Sequence, residues 1–347
     1  MLSQLWRECE TRQYPRLING PALVKTLVWA LVLRLPSLES ILDPQKKRLP
    51  TTHKSTLSHA LRRTSHLTLL RRMIEHVTGL FLPTGDHIIA LDSMPVTISR
   101  KRKSDAAKIN KNTKGAAAIW EFIVNAPRGS CPARLLKVVH GAWNDSFQIL
   151  GLPLIAKGPL YLMDRGFYSF KAIAQWLAMD VRFIVRAKAQ QAQYKPLKTL
   201  HQNLWLNVRT QIVYDGIVLL GAKGTVKVRL IKARIAGKPE LILVTNLLKA
   251  DVSEILAHYR LRWEIELFHK LLKQTLGMAH LFNFQKNGIE MAILAALLIA
   301  VLLYLQSPAK SARTLDHIRL MLKLMRKSLN IQTPWMRNSS LRKRKRV

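Results

Sequence analysis

Two short apolar segments, each ending in an aspartate, constrain the fold of this chain most strongly. The segment HIIALD ends at Asp92, and the segment PLYLMD ends at Asp164. Such runs predict buried strands of an α/β core, with helices between them. An α/β sheet places its functional site at the carboxyl ends of its strands. Either aspartate alone could simply cap the next turn, but the pair, in a chain with only 20 acidic residues, predicts a site.

The segment YRLRWEIELFHKLLK, residues 259–273, predicts a helix with an unusual charged face. At about 100° per residue, four side chains fall within a stripe of about 60° that is about 21 Å long: Tyr259, Arg262, Glu266 and Lys273. Ordinary i,i+4 ion pairing of Glu266 with Lys270 leaves the other three side chains unexplained and is worth only a few tenths of a kcal/mol. A carboxylate framed by two cations and a phenol instead indicates a metal-binding acid among phosphate-binding groups.

The charge balance indicates a polyanionic partner. The chain of 347 residues has 56 Lys and Arg against 20 Asp and Glu, which gives a net charge of +36. The basic residues are spread along the sequence, for example in SRKRKSDAAKINKNTK from Ser99 and in the tail LRKRKRV. Because the charge is not confined to one juxtamembrane cluster, nucleic acid is favoured over an anionic membrane surface.

One apolar segment raises the question of a membrane span. The run MAILAALLIAVLLYL, residues 291–305, is shorter than the roughly 20 residues needed to cross a bilayer, and Glu290 precedes it directly. It is therefore expected to be a buried helix, with no membrane partner. The N-terminus lacks the pattern of a signal peptide, and Cys9 and Cys131 are too few for a disulfide framework. We expect a cytoplasmic protein.

Local patterns divide the chain into four regions. Residues 1–84 are expected to be helical and to bind DNA, although they carry no clear helix-turn-helix signature. Residues 85–187 and 248–306 are expected to form an α/β core with a hairpin, further strands and two long helices. Residues 188–247 predict a β insertion with Gly-bearing turns. Residues 307–347 predict a basic helical C-terminal region and tail.

Four segments resemble motifs of bacterial insertion-sequence transposases of the DDE group. The signature Y-x2-R-x3-E-x6-K of that family is matched in full by Tyr259, Arg262, Glu266 and Lys273. LDSMPV is similar to the first acid motif of the family, DRGFYS to the second, and LVTNL to the segment that precedes the helix. The resemblance covers roughly residues 85–305.

The resemblance implies an RNase H-like fold, in which a mixed five-stranded sheet carries helices on both faces. Asp92 would lie on the first strand, Asp164 after the fourth, and Glu266 on a helix after the fifth. A β-rich insertion before this last catalytic helix occurs in relatives that cut DNA through hairpin ends. His269 stands where relatives commonly have an aromatic residue, and we expect this departure to leave the chemistry unchanged.

The resemblance also implies a cofactor, two Mg²⁺ (or Mn²⁺) ions held by the three acids. Asp92 would bridge the two ions, while Asp164 and Glu266 would each hold one. Carboxylate oxygens suit these ions because hard divalent cations prefer oxygen ligands.

Five residues are then expected to contact DNA: Tyr259, Arg262, Lys273, Arg165 and Trp205. The first three would hold phosphates that flank the site, contacts that position DNA without reading its bases. Arg165 would touch phosphate or face solvent. Trp205 would stack on a flipped base, although a tryptophan in a β insertion is more often part of a core.

The implied reaction is cleavage at the ends of an insertion sequence, followed by joining of the 3′-hydroxyl ends to target DNA. The expected partner is double-stranded DNA, with a homodimer assembled on it, in the cytoplasm of a bacterium and associated with the nucleoid. Two alternatives stay open. An RNase H-like nuclease without strand transfer would share all three acids, whereas a non-catalytic DNA-binding protein would explain the charge but not the charged line on the helix.

Overall fold

The structure is a computed structural model, and it describes residues 2–9, 18–35, 37–42, 53–79, 87–124, 126, 132–142, 144–188, 193–221, 224–278, 281–306 and 314–328. The basic tail, Cys131 and most of the turn expected after the second strand lie outside these residues.

The described strands form one continuous nine-stranded sheet in the order β3-β2-β1-β4-β5-β9-β8-β7-β6. They are β1 (Ile88–Ser99), β2 (Thr113–Val124), β3 (Ala133–His140), β4 (Leu160–Met163), β5 (Arg182–Arg186), β6 (Tyr194–Asn207), β7 (Thr210–Leu220), β8 (Val226–Ile235) and β9 (Leu241–Thr245). The described helices are α1 (Leu2–Cys9), α2 (Gly20–Val32), α3 (Leu38–Ile41), α4 (Lys54–Ala60), α5 (Thr64–Gly79), α6 (Asp145–Gln148), α7 (Phe170–Ala178), α8 (Val252–Leu261), α9 (Trp263–Lys270), α10 (Lys286–Gln306) and α11 (Thr314–Ser328).

The prediction of a five-stranded sheet was wrong in the number of strands. β1, β4 and β5 run parallel, β2 pairs antiparallel with β1, and β3 pairs antiparallel with β2. β9 then pairs antiparallel with β5, from Ile184↔Thr245 to Arg186↔Leu243, and β8, β7 and β6 follow. The β insertion therefore extends the sheet, because β9 occupies the hydrogen-bonding edge that β5 would otherwise expose.

Helices cover both faces of the sheet, as expected for a mixed α/β fold. On one face α7 packs through Trp176, whose ring centroid lies 5.1 Å from that of Phe183. On the other face Phe268 of α9 lies against β2, with ring centroids 5.5 Å from Trp120 and 5.4 Å from Phe122. These aromatic contacts fix α9 on the sheet next to β1 and β2.

The N-terminal helices share a hydrophobic core with α10. Leu27 of α2, Leu70 of α5 and Leu297 of α10 are all fully or almost fully buried in one cluster. Arg71 of α5 also forms an ion pair with Glu290, which is buried at the start of α10. The helical N-terminal region is thus packed onto the α/β body through α10.

Helix α10 begins earlier than the 15-residue apolar run that predicts it. It spans 21 residues, and within the described part of the chain it is the one helix long and apolar enough to cross a membrane by those two criteria. However, 89% of its most apolar window is buried inside the protein. Burial among protein side chains agrees with the prediction of a core helix.

The helix expected across residues 259–273 is interrupted twice. Arg262 separates α8 from α9 through i→i+3 hydrogen bonds, from Arg262 N to Tyr259 O and from Ile265 N to Arg262 O, each 3.2 Å long. A π-helical turn, Leu271–Thr275, follows α9 and contains Lys273. The prediction of one regular helix was wrong at these points, since both turns change the angle between successive side chains.

Candidate active site

The parallel pairing of β1 with β4 brings Asp92 and Asp164 to neighbouring positions. The last paired residues of the two strands are Leu91 and Met163, and each aspartate comes directly after them. Neighbouring strands lie about 4.8 Å apart, so the two carboxylates emerge side by side. β1 does not end at Asp92 as the sequence predicts. It continues to Ser99 while paired with β2, so Asp92 projects from the middle of a strand at the point where β4 stops.

Arg262 connects the third acid to the first. Its Nη2 lies 2.5 Å from Glu266 Oε1, and its Nη1 lies 3.8 Å from Asp92 Oδ2. Asp92 and Glu266 are therefore separated by the width of one guanidinium group. Glu266 does have an i,i+4 ion pair, but its partner is Arg262, whereas the sequence interpretation assigned this pair to Lys270.

Asp92 is an acid in an unfavourable environment for a negative charge. Burial, with smaller contributions from the carboxylates of Asp164 and Glu266, raises the pKa of Asp92 to about 7. Arg262 and the backbone N–H of Ser93, which donates to Asp92 Oδ1 at 2.9 Å, act in the opposite direction. Because the negative charge of Asp92 is only partly compensated, a cation at this position would be strongly favoured.

Asp164 has a buried oxygen without a partner among the described residues. Its Oδ1 is inaccessible to solvent and accepts no hydrogen bond from them. The aspartate precedes a short 3₁₀ turn, Arg165–Phe167, but its side chain does not cap that turn. The geometry therefore does not support the alternative that Asp164 only caps the next turn.

The structure adds His269 to the site, a residue that the sequence interpretation set aside. Its Nδ1 lies 3.7 Å from Asp92 Oδ2, and its Nε2 is buried without a hydrogen-bond partner in the described part of the chain. Burial, with the positive charges of Lys273 and Arg262, lowers the pKa of His269 to about 3. The imidazole is thus neutral at physiological pH. Its helical position, three residues after Glu266 and one turn along, was the signal that could have identified it.

Asp145 is a second residue that the sequence interpretation missed. It opens α6, and its Oδ2 accepts a hydrogen bond of 3.0 Å from Ser93 Oγ, next to Asp92 in the chain. The segment DSFQILGL predicts a short helix, and nothing in this local pattern indicates that Asp145 lies near Asp92.

The predicted DNA-contacting residues divide into a group near the acids and one residue far from them. Burial raises the pKa of the Tyr259 phenol and lowers that of Lys273, and the charges that act on these groups include Asp164 and Asp92 respectively. Arg165 is exposed beside Asp164. Trp205 lies on β6, six strands from β1 in the sheet order, with 62% of its surface exposed. Trp205 is not a core residue, and it is not part of the acid cluster.

The donor set fits a hard divalent cation in its chemistry. The nearby groups are carboxylate oxygens, one of them buried at Asp164 with no partner among the described residues, and Asp92 lacks full charge compensation. Within the residues that the structure describes, however, no three His, Cys, Asp or Glu side chains are close enough to hold one ion as they stand. Arg262 lies between Asp92 and Glu266, where it pairs closely with Glu266 and compensates the charge of Asp92 only in part.

Comparison with known proteins identifies relatives of one kind. Residues 83–302 match the family described as "Transposase DDE domain". The chain is 24% identical over 268 residues to a protein of Geobacillus stearothermophilus named as a probable transposase for insertion sequence element IS5377, covering 74% of this chain and 67% of that protein. It is 27% identical over 223 residues to the transposase-named protein y4zB of Sinorhizobium fredii, covering 61% of this chain and 59% of the relative. The matched part thus spans about three fifths to two thirds of these relatives.

Proposed function

Because the chain belongs to the DDE-domain transposase family, we propose that it cuts the ends of an insertion sequence and joins the 3′-hydroxyl ends to target DNA. Its function as a bacterial insertion-sequence transposase follows from the family and from the names of its relatives. A nuclease without strand transfer and a non-catalytic DNA-binding protein are not favoured on the same grounds. The details of site, cofactor and partners are our proposal.

The observation that carries the proposed site is the position of the three acids around one guanidinium. Asp92 and Asp164 leave adjacent parallel strands side by side, and Arg262 contacts both Asp92 and Glu266. This group couples the middle of β1 and the end of β4 to helix α9. The ion pairs with Arg262 do not explain why three carboxylates lie close together.

We propose that Asp92, Asp164 and Glu266 hold two Mg²⁺ or Mn²⁺ ions. When bound, such ions activate the attacking water or 3′-hydroxyl and stabilise the leaving oxygen. Asp92 must release its proton before it can ligate a cation, and its raised pKa of about 7 means that this proton is held near neutral pH. Arg262 lowers the cost of keeping Asp92 and Glu266 ionised while no cation is bound.

The cationic side chains near the acids are proposed to hold the DNA backbone. Arg262 and Lys273 would contact phosphates on either side of the scissile bond, and Tyr259 would donate a hydrogen bond to one of them. Arg165, exposed beside Asp164, is placed to contact a further phosphate. Trp205 is exposed on β6. We propose that it stacks on an unpaired base, as a tryptophan of the insertion does in relatives that form DNA hairpins.

The partner that we propose is double-stranded DNA, at both the element ends and the target. The net charge of +36 supports a long contact with a polyanion. Residues 1–84 are proposed as a DNA-binding region, residues 85–187 and 248–306 as the RNase H-like core, residues 188–247 as the insertion, and residues 307–347 as a basic C-terminal region. A homodimer assembled on DNA, associated with the bacterial nucleoid in the cytoplasm, would pair two element ends.

Charge-removing substitutions of the three acids test this proposal. Asp92→Asn, Asp164→Asn and Glu266→Gln should each reduce Mg²⁺-dependent cleavage of the element ends by about 10³-fold or more, because several kcal/mol of charge stabilisation is removed. Binding to the same DNA should persist. Cleavage and strand transfer are measured on labelled end duplexes with a plasmid target.

Two matched variants control for the removal of an acid elsewhere. Glu264→Gln changes the same side-chain type two positions from Glu266, on the opposite side of α9. Asp180→Asn lies in an exposed turn with φ of 56°, a conformation that asparagine tolerates. Both should cleave within a few-fold of wild type. Near wild-type cleavage by any of the three site variants would remove that residue from the proposal, and cleavage without strand transfer would favour the nuclease.

A further inference from the structure

We propose that Asp145 is a positioning residue of the acidic site, which fixes β1 at Ser93 and the turn after β4 at Gly166 relative to one another. The inference deepens the proposed function and rests on it for the roles of Asp92 and Asp164. It assigns a task to an acid that the three-acid arrangement leaves unused.

The contact to β1 is direct. Ser93 Oγ donates a hydrogen bond of 3.0 Å to Asp145 Oδ2, while the backbone N–H of the same serine donates one of 2.9 Å to Asp92 Oδ1. Ser93 therefore holds a carboxylate on each side. A displacement of Asp145 would release the Ser93 hydroxyl and change the orientation of Asp92.

The contact to the turn after β4 depends on the absence of a side chain. A Cβ atom built on Gly166 would come within 2.8 Å of Asp145 Oδ2 and within 3.5 Å of its Cβ. The carboxylate thus fills the space over Gly166, two residues after Asp164. A Cβ at this position would be too close to the Asp145 carboxylate, which would have to move relative to Ser93.

The capping role that an acid at a helix start commonly has is already taken. Asn144 is the N-cap of α6, and its side chain accepts a hydrogen bond of 3.1 Å from Ser146 N. α6 has only four residues, so its dipole offers little stabilisation to Asp145. Helix formation therefore does not explain why an aspartate occupies this position.

The position also carries an electrostatic cost that an inert residue would avoid. Asp145 Oδ1 is buried without a hydrogen-bond partner among the described residues. Burial raises the pKa of Asp145, the hydrogen bond from Ser93 opposes that rise, and the negative charge of Asp164 adds to it. The geometry that Asp145 maintains between Ser93 and Gly166 best explains an aspartate at a position with this electrostatic cost.

A series of variants separates position from charge. Asp145→Ala removes the contacts with Ser93 and Gly166, and we expect kcat for end cleavage to fall about 10- to 100-fold, the equivalent of one hydrogen bond to a charged group, with KM for DNA within about twofold. Asp145→Asn keeps the size and an acceptor for Ser93, so kcat should return to within about threefold of wild type. Ser146→Ala, the neighbouring change on α6, should leave kcat within about twofold.

A double-mutant cycle with Gly166 tests the contact itself. Gly166→Ala should reduce kcat to a similar degree, because its methyl group displaces Asp145. In the Asp145→Ala background the same change should cost little more, since the side chain that it displaces is already gone. Full additivity of the two changes would overturn the proposal. So would an Asp145→Asn variant as impaired as Asp145→Ala, or an Asp145→Ala variant within about twofold of wild type.

A second readout separates this inference from the proposed reaction. The rise in melting temperature on titration with MnCl₂ reports cation binding without DNA. Its half-saturating concentration should increase severalfold in Asp145→Ala and stay close to wild type in Asp145→Asn. If the wild-type protein bound Mn²⁺ in this way but did not cleave DNA, the proposed reaction would fail while the positioning role stood. An unchanged Mn²⁺ titration in Asp145→Ala would overturn the positioning role alone.

Discussion

Two aspartates of this protein face opposite electrostatic conditions: Asp215 in the insertion is fully buried, and Asp92 in the candidate site is partly buried. Asp215 on β7 is fully buried, and Arg229 on β8 clamps it through Nε at 2.7 Å and Nη2 at 2.8 Å. His201 Nδ1 also lies 2.9 Å from Oδ2 of Asp215. Asp92 instead has the guanidinium of Arg262 at 3.8 Å, shared with Glu266.

The difference indicates which of the two acids is structural. The carboxylate of Asp215 is compensated by a bidentate pair that is itself buried, the geometry in which a buried ion pair is tolerated. Asp92 has two further carboxylates near it and an incomplete set of donors. An acid whose charge the fold compensates only in part is suited to take up a cation, whereas an acid held by a buried bidentate pair is suited to hold strands together.

The two regions are also connected. Arg229 Nη1 donates to the backbone oxygen of Ala250 at 2.5 Å and is 3.4 Å from that of Leu247. These carbonyls lie just before α8, whose first turn is capped by Asp251. The ion pair of the insertion therefore anchors the chain that leads to Glu266.

The largest effect should come from breaking the compensated pair. Arg229→Met leaves Asp215 buried beside His201 without its guanidinium, and removal of one member of a buried pair costs about 3–5 kcal/mol of unfolding free energy. Urea denaturation measures it. In the double variant Asp215→Leu/Arg229→Met the destabilisation should be clearly smaller, because no unpaired charge remains. A single variant as stable as wild type would contradict the description of Asp215 as a structural acid.

Asp92 should instead affect how the free energy of unfolding depends on pH. The ordinary pKa of an aspartate is 3.8, and that of Asp92 in the folded protein is about 7, so the folded state holds the proton more tightly. The proton on Asp92 therefore stabilises the folded state by up to about 4 kcal/mol. This stabilisation is complete below about pH 4 and is lost as the pH rises through about 7. Asp92→Asn should remove this contribution.

Denaturation in EDTA from about pH 4.5 to about pH 8 checks this prediction. The free energy of unfolding of wild type should fall across that range more steeply than that of Asp92→Asn. Addition of Mn²⁺ at the alkaline end should restore stability to wild type only. Parallel curves for the two proteins would mean that Asp92 is as well compensated as Asp215, and the contrast would disappear.

The smallest effect concerns the cations beside the acids. If Lys273 and Arg262 contact phosphates, Lys273→Ala and Arg262→Ala should each reduce the slope of log K against log salt for DNA binding by about 0.9 for each phosphate that is no longer neutralised. The reduction should be the same for end DNA and unrelated DNA. Lys238→Ala, an exposed lysine in the turn between β8 and β9, should leave the slope unchanged.

For Arg262 an ion-pair role predicts a different result. Removal of the interaction with Glu266 alone would cost a few tenths of a kcal/mol in stability and leave the salt dependence unaltered. Arg262→Ala would in that case melt slightly earlier but bind DNA with the wild-type slope. Such a result would assign Arg262 to the neutralisation of Asp92 and Glu266.

The sequence alone predicted the parts of this protein that depend on local pattern. The two apolar strands before Asp92 and Asp164, the hairpin of β2 and β3, and the buried helix α10 all follow from hydrophobic runs and turn residues that act over a few positions. The signature on residues 259–273 predicted the family, because chemistry that needs fixed side-chain types leaves them at fixed spacings.

Only the tertiary structure determined which of these elements and side chains contact one another. The nine strands form one sheet because β9 pairs with the edge of β5, and no local sequence pattern predicts that pairing. The proximity of His269 to Asp92, and of Asp145 to Ser93, joins residues from different elements. The pKa of Asp92 likewise depends on burial and on charges brought together from three parts of the chain. Local sequence determines backbone preference, whereas long-range packing determines which charges must share one buried space.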